Sequence, residues 1–435
     1  MKKLFKAAAL CCALMLSACS SRKNNSVTAP DGKLDKCTLR FSWWGGDDRH
    51  KATLDAVELW NKKHPDISIT PEYGGWDGWT EKVSAQMRSG TEPDIMQINY
   101  DWLISMSEEG SRFYDLDSLT DFLDLSGYDD EILSFGRMDG RLSALTVSVS
   151  GRSLFYNSEV FSSLGAEYPK TWTELAALGK SFGMEDMYPL DLDIQSGGTA
   201  WYLAVVYIQQ KTGREFISDD GRLGFTVDDI SEALEFYKSL EEDHVIRNVR
   251  TRTDEDGNAA LYQSSEFIDG RVAGVLEWGS AVGKYESVLP DGVLEAGPLL
   301  ADDSGNNSGW LIKPTLLYAV SGDTKYPDEA AAFIDFLVND EECAELLGTT
   351  RGIPASDKAA SALEKSGRLS GLAKECDDML HNADTVTISP YMELPRMKEF
   401  YNTAIESVSY GTADTDTAAR QMYDSITDHL EKIRK

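Results

Sequence analysis

Between Cys37 and Ile98 the apolar residues alternate between two periods, and this restricts the fold more than any other feature of the chain. Leu39, Phe41 and Trp43 fall on one face of a strand. Leu54, Val57 and Trp60 follow at helical spacing, and Pro65 predicts the end of that helix. Ile67 and Ile69 mark a second strand. Trp79, Val83 and Met87, four apart, mark a second helix, and Pro93–Ile98 reads as a third strand. A β-α-β-α-β run of this kind predicts a parallel sheet with helices on its faces. In such sheets ligands bind beyond the carboxyl ends of the strands. Trp43–Asp47, Tyr73–Trp76 and Gln97–Trp102 all lie at those ends.

The pattern then repeats with different partners. Gly127–Arg141 reads as loop and turn, and Leu142–Asn157 as an extended segment. Thr171-Trp172-Thr173-Glu174 predicts a capping box. Trp201, Val205 and Ile208 share one helix face; Ile230, Leu234 and Tyr237 share another, behind Asp228 and Asp229. Arg271–Leu276 reads as a strand leading into Glu277-Trp278-Gly279-Ser280. Leu311–Ile312 and Leu316–Val320 read as extended. Pro327 opens a helix with Asp328 and Glu329 at its positive end. A chain of 435 residues is too long for one core, so the fold class expected is α/β with two lobes.

Residues 1–18 carry Lys2, Lys3 and Lys6 followed by an apolar run from Ala7 to Leu16. This is a secretory signal, too short to span a membrane. Leu16-Ser17-Ala18-Cys19 resembles a bacterial lipobox, which makes Cys19 the lipid-bearing first residue. Residues 19–36 then read as a flexible tether. The formal net charge is −31, and removal of residues 1–18 takes away three lysines and no acid. Such a body is a poor partner for nucleic acid or for anionic lipid. Of the six cysteines, Cys37, Cys343 and Cys376 remain in the body; their spacing is neither a disulfide framework nor a metal box.

Phosphate-binding, nucleophile-elbow and zinc-hydrolase motifs are absent, and the five histidines lack metal-ligand spacing. No cofactor and no metal are expected. What the strand ends carry instead is aromatic, polar and glycine-rich. An indole covers the apolar face of a sugar ring, while Asp, Asn, Gln and Arg bond its hydroxyl rim. Trp44, Trp76 and Trp278 stand beside glycines in predicted loops and are the ligand candidates; Trp43 shares a strand face with Phe41 and divides between ligand and core. Gly45 and Gly46 either admit a ligand to the backbone or make a tight strand-to-helix turn. Arg49 and Arg152 suit a carboxylate or hydroxyl rim, although Arg49 has Asp47 and Asp48 as alternative partners. Asp94 divides between the cleft and a strand brace. Gln97 and Asn99 follow it within reach of the rim.

Phe41-Ser42-Trp43-Trp44-Gly45-Gly46 with Arg49-His50, Glu72–Trp79 and Glu92–Gln97 together resemble the family 1 extracellular solute-binding proteins of carbohydrate ABC importers. Leu154–Asn157 with Pro169–Leu175, and Ala330–Leu347 with Arg351–Ala355, are similar to later parts of that family. The Trp-Trp-Gly-Gly-x-x-Arg-His opening and Gly75-Trp76-Asp77-Gly78 look most like its oligogalacturonide-binding members. The resemblance implies a periplasmic-binding-protein-like type II fold, with sugar held between two hinged lobes. Lobe one is then 37–148 with 311–360, and lobe two 149–310 with 361–435. Crossings fall near 146–150, 308–313 and 355–368. It also implies a monomer that is no enzyme and serves ABC permease subunits, held at the outer side of the cell membrane by lipid on Cys19. A sensor or adhesin on the same fold, or a glycoside hydrolase, are the alternatives.

Overall fold

A computed structural model describes residues 34–106, 112–193, 198–257 and 259–434. The signal segment 1–18, Cys19 and most of the tether lie outside the described residues. Among the described residues there are ten strands: β1 (Cys37–Trp44), β2 (Ile67–Gly74), β3 (Ile95–Ile98), β4 (Arg137–Met138), β5 (Arg141–Leu142), β6 (Leu145–Asn157), β7 (Gly274–Trp278), β8 (Leu294–Ala296), β9 (Leu311–Val320) and β10 (Val386–Thr387). Eight share one sheet in the order β2-β1-β3-β9-β6-β7, with β10 on β9 and β8 on β6.

The first part follows the periodicity. β1 runs parallel to β2 and β3. Leu39, Phe41 and Trp43 are fully buried on its inner face. The helix Asp47–Lys63 packs Trp60 against Phe333 and Phe336 of the helix Pro327–Asn339, and ends just before Pro65. The helix Trp79–Ser89 buries Trp79, Val83 and Met87 and stops at Gly90, whose φ is +65°.

The centre of the sheet differs from a purely parallel plan. β9 pairs antiparallel with both β3 and β6. β6 is a single strand of 13 residues that changes partner along its length. Leu145–Gly151 pairs with β9, whereas Arg152–Asn157 pairs with β7 and β8. The β6–β9 register shifts on either side of Ser148, close to where Val149 faces Pro314. A proline has no N–H for the ladder, and such an irregularity accommodates it. The extended region expected from Leu311–Ile312 and Leu316–Val320 is one strand running through Pro314.

Apolar packing gathers in two clusters along this long pair, with Ile312 partly buried against both. One cluster holds Trp44, Trp79, Val83, Met96, Trp102 and Leu317. Another holds Leu154, Tyr156, Trp201, Leu234, Tyr237 and Tyr401. Two local expectations need correction. Residues 127–141 are not only loop: Asp139 and Gly140, both at positive φ, close the β4–β5 hairpin. Thr171 does cap the helix Trp172–Gly183, but the Glu174 carboxylate accepts from Lys170 N rather than Thr171 N. A full capping box forms instead at Thr226 and Asp229, on the helix Val227–Glu242. Cys343 and Cys376 are buried free thiols. Among the described residues no helix is long and apolar enough to cross a membrane.

Candidate functional site

A cavity of about 390 Å³ opens where the ends of β1 and β3 meet the middle of β6 and β9. Trp44 and Arg49 enter it from β1 and the following helix, and Trp76 and Asn99 from the loops after β2 and β3. Arg152 comes from β6, Trp278 from β7, and Lys313 and Thr315 from β9. Thr350, Arg351 and Gly352 come from the turn after the helix Glu341–Leu347, Glu393 from the turn Pro390–Glu393, and Lys398 from the helix Pro395–Ser409.

Three indoles form one wall. Trp44 lies 5.2 Å from Trp76 and 5.3 Å from Trp102 between ring centroids. Trp102 is buried behind them, Trp44 is 7% exposed and Trp76 is 48% exposed. Trp76 thus offers an open aromatic face on a firm backing.

The neighbouring wall is cationic. Arg49 donates Nε to Thr350 O at 3.0 Å and Nη1 to Trp44 O at 3.2 Å. Arg351 donates Nε to Gln97 Oε1 at 3.0 Å and Nη2 to Thr53 Oγ1 at 2.8 Å. Among the described residues, no carboxylate forms an ion pair with either guanidinium. Burial, and then the nearby Arg351 charge, push the Arg49 guanidinium down to about 10. The Arg351 backbone is fixed as well. Its carbonyl accepts from Ser148 Oγ at 2.5 Å and from Thr315 Oγ1 at 3.1 Å. Gly352 follows at φ +100°, where a Cβ would stand 3.1 Å from Ser148 Oγ.

Opposite, the charges are already compensated in part. Glu393 is buried and accepts from Tyr202 Oη at 2.6 Å, from Lys313 Nζ at 2.5 Å and from Lys398 Nζ at 3.3 Å. Burial opposes its charge, yet the two lysines and the tyrosine hydroxyl hold its carboxyl well below the usual range. Arg152 donates Nη1 to Thr199 Oγ1 at 3.2 Å and lies 4.7 Å from the Tyr202 ring. Arg152 and Lys313 stand 4.5 and 4.7 Å from the Trp278 ring, so this indole holds two cations in place.

Of the residues singled out in the sequence, Trp44, Trp76, Arg49, Asn99, Arg152 and Trp278 line the cavity. Trp43 does not. It is fully buried, stacks on Tyr73 at 5.0 Å and donates Nε1 to His50 Nδ1 at 3.2 Å. The space at Gly45 is filled from within: a Cβ there would lie 2.5 Å from Arg49 Cδ. Gly46 is the N-cap of the next helix, whose first turn carries Asp47 and Asp48, and it lies outside the lining. Asp94 stands at the wrong end of β3. Its carboxylate accepts from Arg40 N at 2.9 Å and Thr324 Oγ1 at 2.6 Å, and braces the sheet. Gln97 is buried one layer back, where Nε2 donates to Trp44 O at 3.1 Å. Asn99 donates Nδ2 to Asp101 Oδ1 at 2.5 Å, which leaves its carbonyl oxygen as the acceptor for a ligand.

Sequence reasoning missed Lys313, Arg351, Glu393 and Lys398. Two local signals were present. Lys313 interrupts an apolar run, and Glu393 sits among apolar residues between Pro390 and Pro395. Arg351 had none beyond the glycine that follows it. Among the described residues no group of three or more His, Cys, Asp or Glu is placed to hold a metal ion.

The family model for bacterial extracellular solute-binding proteins matches residues 55–367. A periplasmic solute-binding protein of Pectobacterium atrosepticum is 32% identical with a TM-score of 0.84, over 92% of this chain and 100% of that one. A periplasmic oligogalacturonide-binding protein of Yersinia enterocolitica, solved with saturated digalacturonic acid, is 31% identical with a TM-score of 0.81, over 92% of this chain and 100% of that one. A maltooligosaccharide ABC transporter solute-binding lipoprotein of Streptococcus pneumoniae is 22% identical over 95% of this chain and 89% of its own length. The chain spans 46% of the length of a putative binding protein of Brucella abortus, at 28% identity. The solved neighbours share the mixed sheet and its helices.

Proposed function

The chain belongs to the family of bacterial extracellular solute-binding proteins, and on that premise we propose that it captures an acidic, uronate-containing oligosaccharide for an ABC importer. One observation carries this reading. In a chain of net charge −31, the described lining of the cavity holds five cationic side chains, Arg49, Arg152, Lys313, Arg351 and Lys398, and a single carboxylate, Glu393. A local reversal of that size favours an anion. The exposed face of Trp76 and the free carbonyl of Asn99 suit a sugar ring and its hydroxyls. The digalacturonate complex of the Yersinia relative supports the same class.

The rest of the mechanism follows from that premise. Lobe one is 37–148 with 311–360, and lobe two is 149–310 with 361–435. The two apolar clusters along β6 and β9 support this division. Closure of the lobes around the sugar presents the loaded form to the permease. Lipid on Cys19 holds the monomer at the outer side of the cell membrane, in keeping with the lipoprotein of Streptococcus pneumoniae. The protein binds its ligand without turning it over.

A thermal-shift and calorimetric comparison of digalacturonate with the corresponding neutral digalactoside tests the reading. The acidic sugar is expected to raise Tm by mass action and to bind at least tenfold more tightly. Equal or tighter binding of the neutral sugar overturns it.

A further inference from the structure

We propose that Arg49 and Arg351 form a preassembled anchor for one sugar carboxylate, with Gln97 as its positioning residue. The inference rests on the acidic-sugar reading and goes further, assigning the charge recognition to one side of the cavity.

The contrast between the two charged walls is the starting point. Lys313 and Lys398 already share the Glu393 carboxylate. Arg49 and Arg351 share no carboxylate among the described residues, and both line the cavity. Arg351 is 5% exposed, so its charge is kept from water by the fold. Two buried like charges without a counter-ion are costly. A carboxylate in the cavity relieves both at once.

The donors left over fit that task. Arg351 commits Nε to Gln97 and Nη2 to Thr53, and its Nη1 is buried away from the cavity, so this residue lends its charge from behind the wall rather than a donor. Arg49 commits Nε and Nη1 to backbone carbonyls, leaving Nη2 without a hydrogen bond to the described residues. Arg49 Nη2 is therefore the donor available to the carboxylate, as a charge-assisted hydrogen bond, with the Arg351 charge held close behind it.

Every group that holds the anchor comes from one side. Thr53 and Arg49 lie on the helix Asp47–Lys63, Gln97 on β3, and Trp44 on β1. No side chain from β7 or from the turn Pro390–Glu393 touches either guanidinium among the described residues. The anchor is complete before any closure. The carboxylate docks first, and the Glu393 side, with its charge partly met, then receives the hydroxyl-bearing remainder.

The test uses the full mature chain, calorimetry with digalacturonate and the neutral digalactoside, and the ligand-free Tm of each variant. Arg351→Gln removes the charge behind the wall and is expected to weaken digalacturonate about 30-fold. Gln97→Glu leaves both arginines in place but supplies the missing charge from behind. It is expected to raise the ligand-free Tm, to weaken digalacturonate about 10-fold and to change the neutral sugar less than threefold. A folded Gln97→Glu protein that keeps the wild-type ratio of acidic to neutral affinity overturns the anchor, while wild-type selectivity for digalacturonate keeps the acidic-sugar reading. Absence of digalacturonate binding by the wild-type protein overturns both.

Discussion

Gln97 uses both ends of its amide: Oε1 accepts from Arg351 at 3.0 Å, and Nε2 donates to the Trp44 carbonyl at 3.1 Å. One buried side chain thus aligns a guanidinium and the backbone that carries an aromatic wall. Gln97→Leu keeps the volume and removes both bonds. Trp44 O keeps its bond from Arg49 Nη1, but leaving Arg351 Nε unmet costs about 1–3 kcal/mol. Urea unfolding of the ligand-free protein is expected to show a loss in that range.

Trp44 and Trp76 touch each other but differ in burial, 7% against 48% exposed. Trp44→Ala empties core volume and is expected to cost about 3–5 kcal/mol of stability. Trp76→Ala leaves the ligand-free Tm within a degree or two. It weakens sugar binding by roughly three- to tenfold through lost stacking. Paired thermal melts and titrations separate the two effects.

Glu393 holds two lysines in a buried setting. Glu393→Gln leaves Lys313 and Lys398 without their counter-charge and is expected to cost about 3–5 kcal/mol at pH 7. The same logic fixes the sign with acid. A carboxyl held below its unfolded value stabilises the fold above the unfolded value and loses that contribution as pH falls through the folded one. The gap between wild type and Glu393→Gln in denaturant midpoint should therefore narrow as the pH is lowered below 4.

Asp101 titrates in the opposite sense. Burial pushes its carboxyl up to about 6, against the opposing hydrogen bond from Asn99. A carboxyl raised in this way favours the folded state at low pH and loses that contribution as pH rises towards 6. The wild-type Tm, taken relative to that of Asp101→Asn, is expected to fall between pH 4 and about 6.5 and to level off above. A flat difference across that range would show that the buried carboxylate is fully compensated.

The part of the fold that could be read in advance is the part whose signals are local. Strand and helix periods in 37–98 depend on neighbours a few residues apart, so β1, β2 and β3 emerge directly. The exchange of partners along β6 depends on strands more than a hundred residues away and leaves no local mark. The site divides in the same way. Trp44 and Trp76 stand beside glycines and are conspicuous, and Arg49 follows Gly45-Gly46 in the first turn of the next helix. Arg351 reaches Gln97 across 254 positions and Lys313 meets Glu393 across 80. In the sequence Trp43 divides between ligand and core, and Asp94 between the cleft and a strand brace. Strand facing buries the first, and its place at the amino end of β3 gives the second to the sheet.

The irregular step in β6 has a mechanical consequence. Ser148 sits between two register shifts, and its hydroxyl grips the carbonyl of Arg351, a residue of the cavity lining. A load applied at Arg351 from the cavity reaches, within a single residue, the place where the ladder between β6 and β9 is already out of step. Arg351 works there as a short lever arm on a strand that ties both apolar clusters together.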